Sequence, residues 1–442
     1  MMKKSLLSLA LISSLTYAQE EFDPLDEFDD GGFDEVEVEQ VAPKPTEKEK
    51  DWSLSGNVAF KTAYAYQEHS VSGIDYNTLT QAQSSLFLQF DYKLPKKFKL
   101  RISGDGFYDA IYDMRDSKFS DDIQDSYQKE LRLGDTYVEG AISEDIDIKV
   151  GRQIVIWGKS DSIRITDVLN PLDNRNPGLT DIEDLRLPVG MIKTDYYIGD
   201  WDLSAMVILE SRVAEERPIN SEFLPLTQPS IEEPENSIEN MSYALSANGE
   251  FSGWDLSFYG ATNILDQRWH KEGSKRVVGR IDMAGSAINI AYGSWLIKSE
   301  VAYLSGLKYN STLDEKNRFD SLIGFDYMGI KDTVISLEIA SRYILDYETQ
   351  MLSKDSVEEN EIQTALRYSQ SFLHDTLDFT ALLSMFGSSW ENGGFSRVWF
   401  EYDIADALST NVGVVDYVGG DKTLMEKIKN NDRVFADIRY SF

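Results

Sequence analysis

From residue 52 onward, apolar and polar side chains alternate with a period of two. That is the spacing of a strand with unlike faces, not of a helix. In segment 86–94, Leu86, Leu88, Phe90, Tyr92 and Leu94 fall on one side, and Gln89, Asp91 and Lys93 on the other. The same alternation sets Leu203, Ala205 and Val207 against Asp202 and Ser204. It also sets Ile335, Leu337 and Ile339 against Ser336 and Glu338, and Val398, Phe400, Tyr402 and Ile404 against Arg397, Glu401 and Asp403. Each segment predicts a strand of about ten residues with one apolar and one mainly polar face.

The connectors between these segments alternate in length. Short ones fall at 95–97, 143–145, 199–201, 252–253, 293–294, 329–331, 374–375 and 405–406. Long polar ones fall at 67–79, 113–128, 158–187, 211–240, 263–276, 305–319, 346–361, 387–393 and 418–431. Eight short turns and nine long loops require 18 strands, with both ends on the short-turn side. Outer-membrane barrels are laid out this way, with periplasmic turns and extracellular loops. The expected fold is therefore all-β, a transmembrane antiparallel β-barrel of about 18 strands over residues 52–442. Its last strand carries Val434, Ala436, Ile438, Tyr440 and Phe442 on one face. This ending resembles the terminal signal read by the barrel-assembly machinery, with Tyr440 and Phe442 as the signal residues. The strand must also pair with the first to remove both sheet edges.

The N-terminus predicts export. Lys3 and Lys4 precede a short apolar run from Leu6 to Leu15, and Thr16-Tyr17-Ala18 supplies a small-residue cleavage site. Residues 1–18 read as a signal peptide. Residues 19–51, rich in Asp and Glu, read as a disordered acidic leader in the periplasm, because they offer too little apolar surface to offset ordering entropy. Phe-Asp pairs at Phe22, Phe28 and Phe33 suit either docking to a periplasmic partner or a merely solvated tail.

Across the whole chain, 76 acidic residues face 43 basic ones, a formal charge of −33. Such a balance excludes a nucleic-acid partner, which needs a basic face. With no cysteine, disulfides, thiolate metal sites and a cysteine nucleophile are excluded. The 23 Tyr and 8 Trp suit interfacial girdles in contact with outer-membrane lipid. Neither a cofactor nor a metal is expected. The acidic loop 211–240 (Glu215, Glu216, Glu232, Glu233, Glu235) lacks ordered ligand spacing and reads as solvated and self-repelling.

A barrel of this size leaves an aqueous bore unless something folds into it. Inward charges include Arg101, Asp105, Asp109, Arg132, Lys298, Glu300, Glu338, Arg342, Arg367, Arg397, Glu401, Asp437 and Arg439. Wall-to-wall ion pairing is as good a role for them as binding a solute. Loop 158–187 differs from the other loops, interleaving Ile163, Ile165, Val168, Leu169, Leu172, Leu179, Leu185 and Leu187 with charges. An inward fold would bury those aliphatics. The expected constriction thus draws on Arg101, Asp105, Asp109, Arg132 and Arg152 from the wall, and Asp161, Arg164, Asp167, Asn170, Asp173 and Arg186 from the loop. Arg152 shares its parity with Ile148 and Val150, which points it toward lipid at a cost of roughly 2–4 kcal/mol. A bulge at Gly151 would turn it inward; alternatively, the strand is shielded from the lumen side.

Gly151-Arg152-Gln153, Trp157-Gly158, Asn170-Pro171-Leu172-Asp173 and Arg186-Leu187-Pro188 together resemble a family of Gram-negative outer-membrane barrels of unknown function. Its members are associated with RND-type lipid exporters. The resemblance implies a porin-like conduit for hydrophobic or lipid-like cargo, with a periplasmic or inner-membrane exporter component as partner. The residues themselves show a barrel with a semi-apolar inward loop, so small polar solutes remain open as cargo. A structural or adhesin barrel, or a tether acting through the leader, is the alternative. An enzyme of the barrel-phospholipase type is disfavoured: His69, His270 and His374 are scattered, and serines beside them (Ser70, Ser72, Ser274) are expected by chance.

Overall fold

The computed structural model describes residues 50–115, 119–225 and 231–442. The expected signal peptide and nearly all of the acidic leader lie outside the described residues. Strands β1–β20 follow in chain order; 18 of them form one antiparallel sheet, while β2 (Ser70–Val71) and β3 (Ile74–Asp75) make a small hairpin in the first long loop. Each barrel strand pairs with its neighbours along the chain. The ring closes where β1 (Trp52–Ala65) pairs with β20 (Arg433–Ser441), from Asn57↔Ser441 to Ala65↔Arg433. Beyond that ladder, Phe442 and Gly56 exchange two main-chain hydrogen bonds of 3.0 Å. Gly56 has no room for a side chain: a Cβ there would stand 2.3 Å from the Phe87 carbonyl oxygen and 3.0 Å from the Phe442 ring.

Side-chain direction follows the expected alternation. Val58, Phe60, Leu86, Leu88, Val301, Tyr303, Phe400, Ile438, Tyr440 and Phe442 are exposed on the outer face, whereas Lys298, Glu300, Glu338 and Arg397 are buried on the inner one. Trp52, Trp254 and Trp295 are exposed at strand starts beside short turns, where a periplasmic girdle belongs. No helix among the described residues is long and apolar enough to cross a membrane.

Two connectors differ from expectation. Segment 263–276 is not a loop. β11 (Trp254–Glu272) and β12 (Lys275–Tyr292) stay paired up to a tight turn at Gly273 and Ser274, with register shifts between Ala261/Ile264 and Leu265/Trp269. Its polarity marks the exit from the bilayer rather than the end of the ladder, because a paired ribbon in water needs no apolar outer face. Nor is loop 211–240 merely solvated. Phe223 is fully buried and packs with Val415, Tyr417, Met425 and Ile428, while Glu222 pairs with buried Arg433 at 2.9 Å. That single aromatic residue draws the acidic loop inward and brings a carboxylate to a wall arginine.

The wall is not uniformly laddered. Between β5 (Lys99–Asp109) and β6 (Lys129–Ala141) pairing continues up to Tyr108↔Lys129. Between β6 and β7 (Ile146–Gln153) it stops at Thr136↔Arg152. Above that point β6 is paired on one side only among the described strands.

Candidate functional site

After Gln153 the chain leaves the wall, and it rejoins at Val189, the start of β8 (Val189–Ile198). Between those points it folds into the lumen, as its aliphatic content predicts. Ile163, Ile165 and Leu169 are buried with Val155 and Trp157 against inward residues of the wall, including Met191, Met206, Ile281, Met283, Leu304 and Ile344. Trp157 stacks on Tyr259 of β11, with ring centroids 4.9 Å apart. One side of the bore, from β8 round to β16 (Asn360–Phe372), is thereby filled with an apolar core.

Two wall carboxylates hold the loop by its backbone. Glu300, on β13 (Trp295–Leu307), accepts the N–H groups of Lys159 at 2.6 Å, Ser160 at 2.8 Å and Thr166 at 3.2 Å, and the Thr166 hydroxyl at 2.8 Å. Glu338, on β15 (Thr333–Leu345), accepts the N–H groups of Asp161 at 2.8 Å and of Ser162 and Ile163 at 3.1 Å, and the Ser160 hydroxyl at 2.7 Å. Both carboxylates are almost fully buried. Burial of a charge is tolerable only with this many donors. Lys298 lies between them and binds both Asp161 and Asp326, the latter at 2.7 Å.

Opposite, the loop ties to the other wall. Arg132 of β6 bridges Asp105 on the wall, at 3.2 Å, and Asp173 on the loop, at 3.3 Å. Arg175 binds Asp173 at 2.6 Å and Glu130 at 2.7 Å. Burial acts to raise the Asp173 carboxyl, yet hydrogen bonds and charge from Arg175, with help from Arg132, outweigh it and hold the group below its ordinary value. The same pairing raises Arg175 against the pull of its own burial. Asp181 reaches Arg397 at 3.0 Å and Arg367 at 3.5 Å, and the Tyr417 hydroxyl donates to the Pro177 carbonyl at 2.6 Å. β6 and β15 stand nine strands apart in the ring of 18. The loop therefore crosses the bore from one wall to the other.

Several expected site residues shape the loop internally. Asn170, fully buried, accepts from Val155 N–H at 2.9 Å and donates to the Leu187 and Gln153 carbonyls at 2.9 and 3.3 Å, clamping the loop's two ends. Asp167 pairs with Arg186 at 2.8 Å and Arg164 at 3.0 Å. Burial lowers the Arg164 guanidinium, and its Nη2 also donates to the Asn170 carbonyl at 2.9 Å. Other expected residues stand away from the loop. Arg101 pairs with Asp91 at 2.8 Å, and Asp109 accepts the Ala82 and Ile111 N–H groups at 2.9 and 3.1 Å. Arg152 keeps the outward register shared with Val150, and its ladders run through Gly151 (φ +134°) without a bulge. It is neutralised by Glu210, Nε to Oε2 at 3.2 Å, and donates to the Leu133 carbonyl at 3.4 Å. The register shift sits instead in the neighbouring β5–β6 ladder, between Ile102 and Gly104.

Sequence reasoning read Glu300, Glu338 and Lys298 as inward but not as the loop's anchors. The readable signal was Gly158-Lys159-Ser160-Asp161-Ser162, a run of small and polar residues whose free N–H groups need acceptors. Arg175, Asp181 and Tyr417 were also missed as loop contacts. The described residues hold no cluster of three or more His, Asp or Glu side chains able to bind a metal.

A closed 18-strand antiparallel barrel with an exposed apolar outer face and a loop across its bore is an outer-membrane β-barrel of porin-like architecture. Residues 37–442 match the family described as Protein of unknown function (DUF1302), and the chain belongs to that family. None of the curated proteins matches it. Among solved structures it is similar to Acinetobacter baumannii OccAB1, at 12% identity and a TM-score of 0.53, over 88% of this chain and 96% of that one. Pseudomonas aeruginosa OccK1 (OpdK) gives 11%, 0.53, 88% and 98%. P. aeruginosa OccK2 (OpdF), in complex with glucuronate, gives 11%, 0.51, 89% and 98%. At such identities the likeness establishes the fold alone.

Proposed function

We propose that the protein is an outer-membrane conduit whose bore is constricted by loop 158–187. The observation that carries this reading is a loop spanning the lumen on two wall carboxylates, packed dry on one side and charged on the other. On the charged side, Arg132, Arg367, Arg397, Asp181 and Asp437 offer a polar track for small solutes. The glucuronate bound by a structure of like fold supports small organic acids among them. A hydrophobic or lipid-like cargo is the second reading, favoured by the one-sided pairing of upper β6. In either case the acidic leader would lie in the periplasm, placed to meet an exporter component. Phe442 would be the feature read by the barrel-assembly machinery, and no catalysis is assigned. The test is single-channel conductance in planar bilayers, with and without residues 158–187. Deletion is expected to raise conductance several-fold; equal conductance would show that the loop does not constrict the path.

A further inference from the structure

We propose that the wall between β6 and β7 is a side portal at the level of the outer leaflet, which takes an amphiphile with a single acyl chain. This rests on the conduit reading and names a cargo class and an exit for it.

Residues 129–133 of β6 pair with β5 but lie above the last β6–β7 pair, Thr136↔Arg152. A Cβ on Gly104 or Gly106 would stand 3.0 Å from the carbonyl oxygens of Arg132 and Glu130, so those carbonyls face β5. Alternation then turns the main-chain groups of Leu131 and Leu133 toward the gap. Arg152 confirms the direction by donating Nη1–H to the Leu133 carbonyl at 3.4 Å. The chain that should have continued β7 has turned inward, with the Val155 N–H bonded to Asn170 at 2.9 Å.

With a strand rise of about 3.3 Å and a tilt near 40°, Leu133 and Leu131 stand about 20–25 Å above the periplasmic end of β6. That is the upper edge of the apolar band, where an unpaired strand edge facing lipid is disfavoured. Leu131 is 92% exposed and Leu133 48%, so the outer lip of the gap is apolar. Its inner side is polar. Arg132 points inward to Asp105 and Asp173, and Arg212 donates to the Pro188 carbonyl at 3.0 Å and faces Glu215 at 3.7 Å. Arg152 and Glu210 sit at the threshold. Three guanidinium groups and four carboxylates meet there, so both signs are present. They match a zwitterionic or hydroxylated head that both donates and accepts hydrogen bonds, with its chain lying on Leu131 and Leu133.

The test uses full-length protein in phosphatidylcholine vesicles carrying a diazirine-bearing lysophosphatidylcholine, irradiated and mapped by peptide mass spectrometry. Adducts are expected on Leu131 and Leu133 and also on inward Arg132 or Arg212. Leu133→Trp, which fills the gap, should lower the inward adducts at least fivefold and leave those at Leu366, on a fully laddered outer face, unchanged. Adducts confined to outward residues at the density seen at Leu366 would overturn the portal. So would inward adducts that survive Leu133→Trp in a protein that retains the gel mobility of a folded barrel. Conductance of the same preparation keeps the two readings apart. Outward-only adducts on a conducting barrel overturn the portal alone, and inward adducts on a barrel that never conducts retain the site and overturn passage.

Discussion

Replacing Glu338 with Gln should loosen the loop from the wall. The carboxylate receives three backbone N–H groups and one hydroxyl, between 2.7 and 3.1 Å. An amide keeps one acceptor oxygen and turns its NH2 toward donors, so at least one or two of those bonds are lost without replacement. Hydrogen bonds to a charged group contribute roughly 1.5–3 kcal/mol each. The expected weakening is therefore about 3 kcal/mol, a shift of about 100-fold in the ratio of docked to undocked loop. Single-channel recording reads this directly as open probability at fixed voltage, with E300Q expected to act in the same direction. Glu401→Gln serves as the control, since the charges around Glu401 (Arg439, Asp378, Asp437, Asp403) all stand on the wall. If E338Q and E300Q open no more often than E401Q, the two carboxylates do not hold the loop, and the argument from their hydrogen bonds fails.

Deleting Phe442 removes both bonds to Gly56 and one turn-side rung of the closing seam. Folded, heat-modifiable barrel should fall severalfold on gels, with protein accumulating in the periplasm; normal yield would count against the closure argument. The pH response of the loop follows from Asp173, whose carboxyl is held below its ordinary value of 3.8. A depressed carboxyl contributes stability that is fully present above the unfolded value and lost as pH falls through the folded one. Loop docking should thus show no contribution from Asp173 to pH dependence above about pH 5, and loosening below about pH 3.8. Asp173→Asn should open more readily at neutral pH and lose that acid-dependent step, as measured by open probability between pH 3 and pH 7.

Much of the barrel was legible because a strand that faces lipid on one side and water on the other must alternate, and its register is then fixed. Leu86, Val301 and Phe400 carry that information locally, and so do the short turns. What alternation cannot report is where a ladder ends once no lipid remains to enforce it. The β11–β12 ribbon beyond Thr262 was therefore taken for a loop. Nor could it report partners remote along the chain. The aliphatics of 158–187 announced an inward fold, but nothing local to Ser160 indicates that Glu338, 178 residues away, receives its hydroxyl. Arg152 shows the same limit at short range, because its countercharge, Glu210, lies beyond β8 and the strand after it.

Those separations also set an order of events. The loop is made early, yet its anchors on β13 and β15 come 134 to 178 residues later in the chain. The terminal strand that closes the ring follows them. Held at both ends by β7 and β8, the loop finds its seat only once β13 and β15 stand opposite it. Its docking therefore waits on the far wall and stays an equilibrium in the finished barrel. For this barrel, the element that narrows the bore is encoded early and the wall that holds it is encoded late, so the finished channel depends on contacts that only the closed ring brings together.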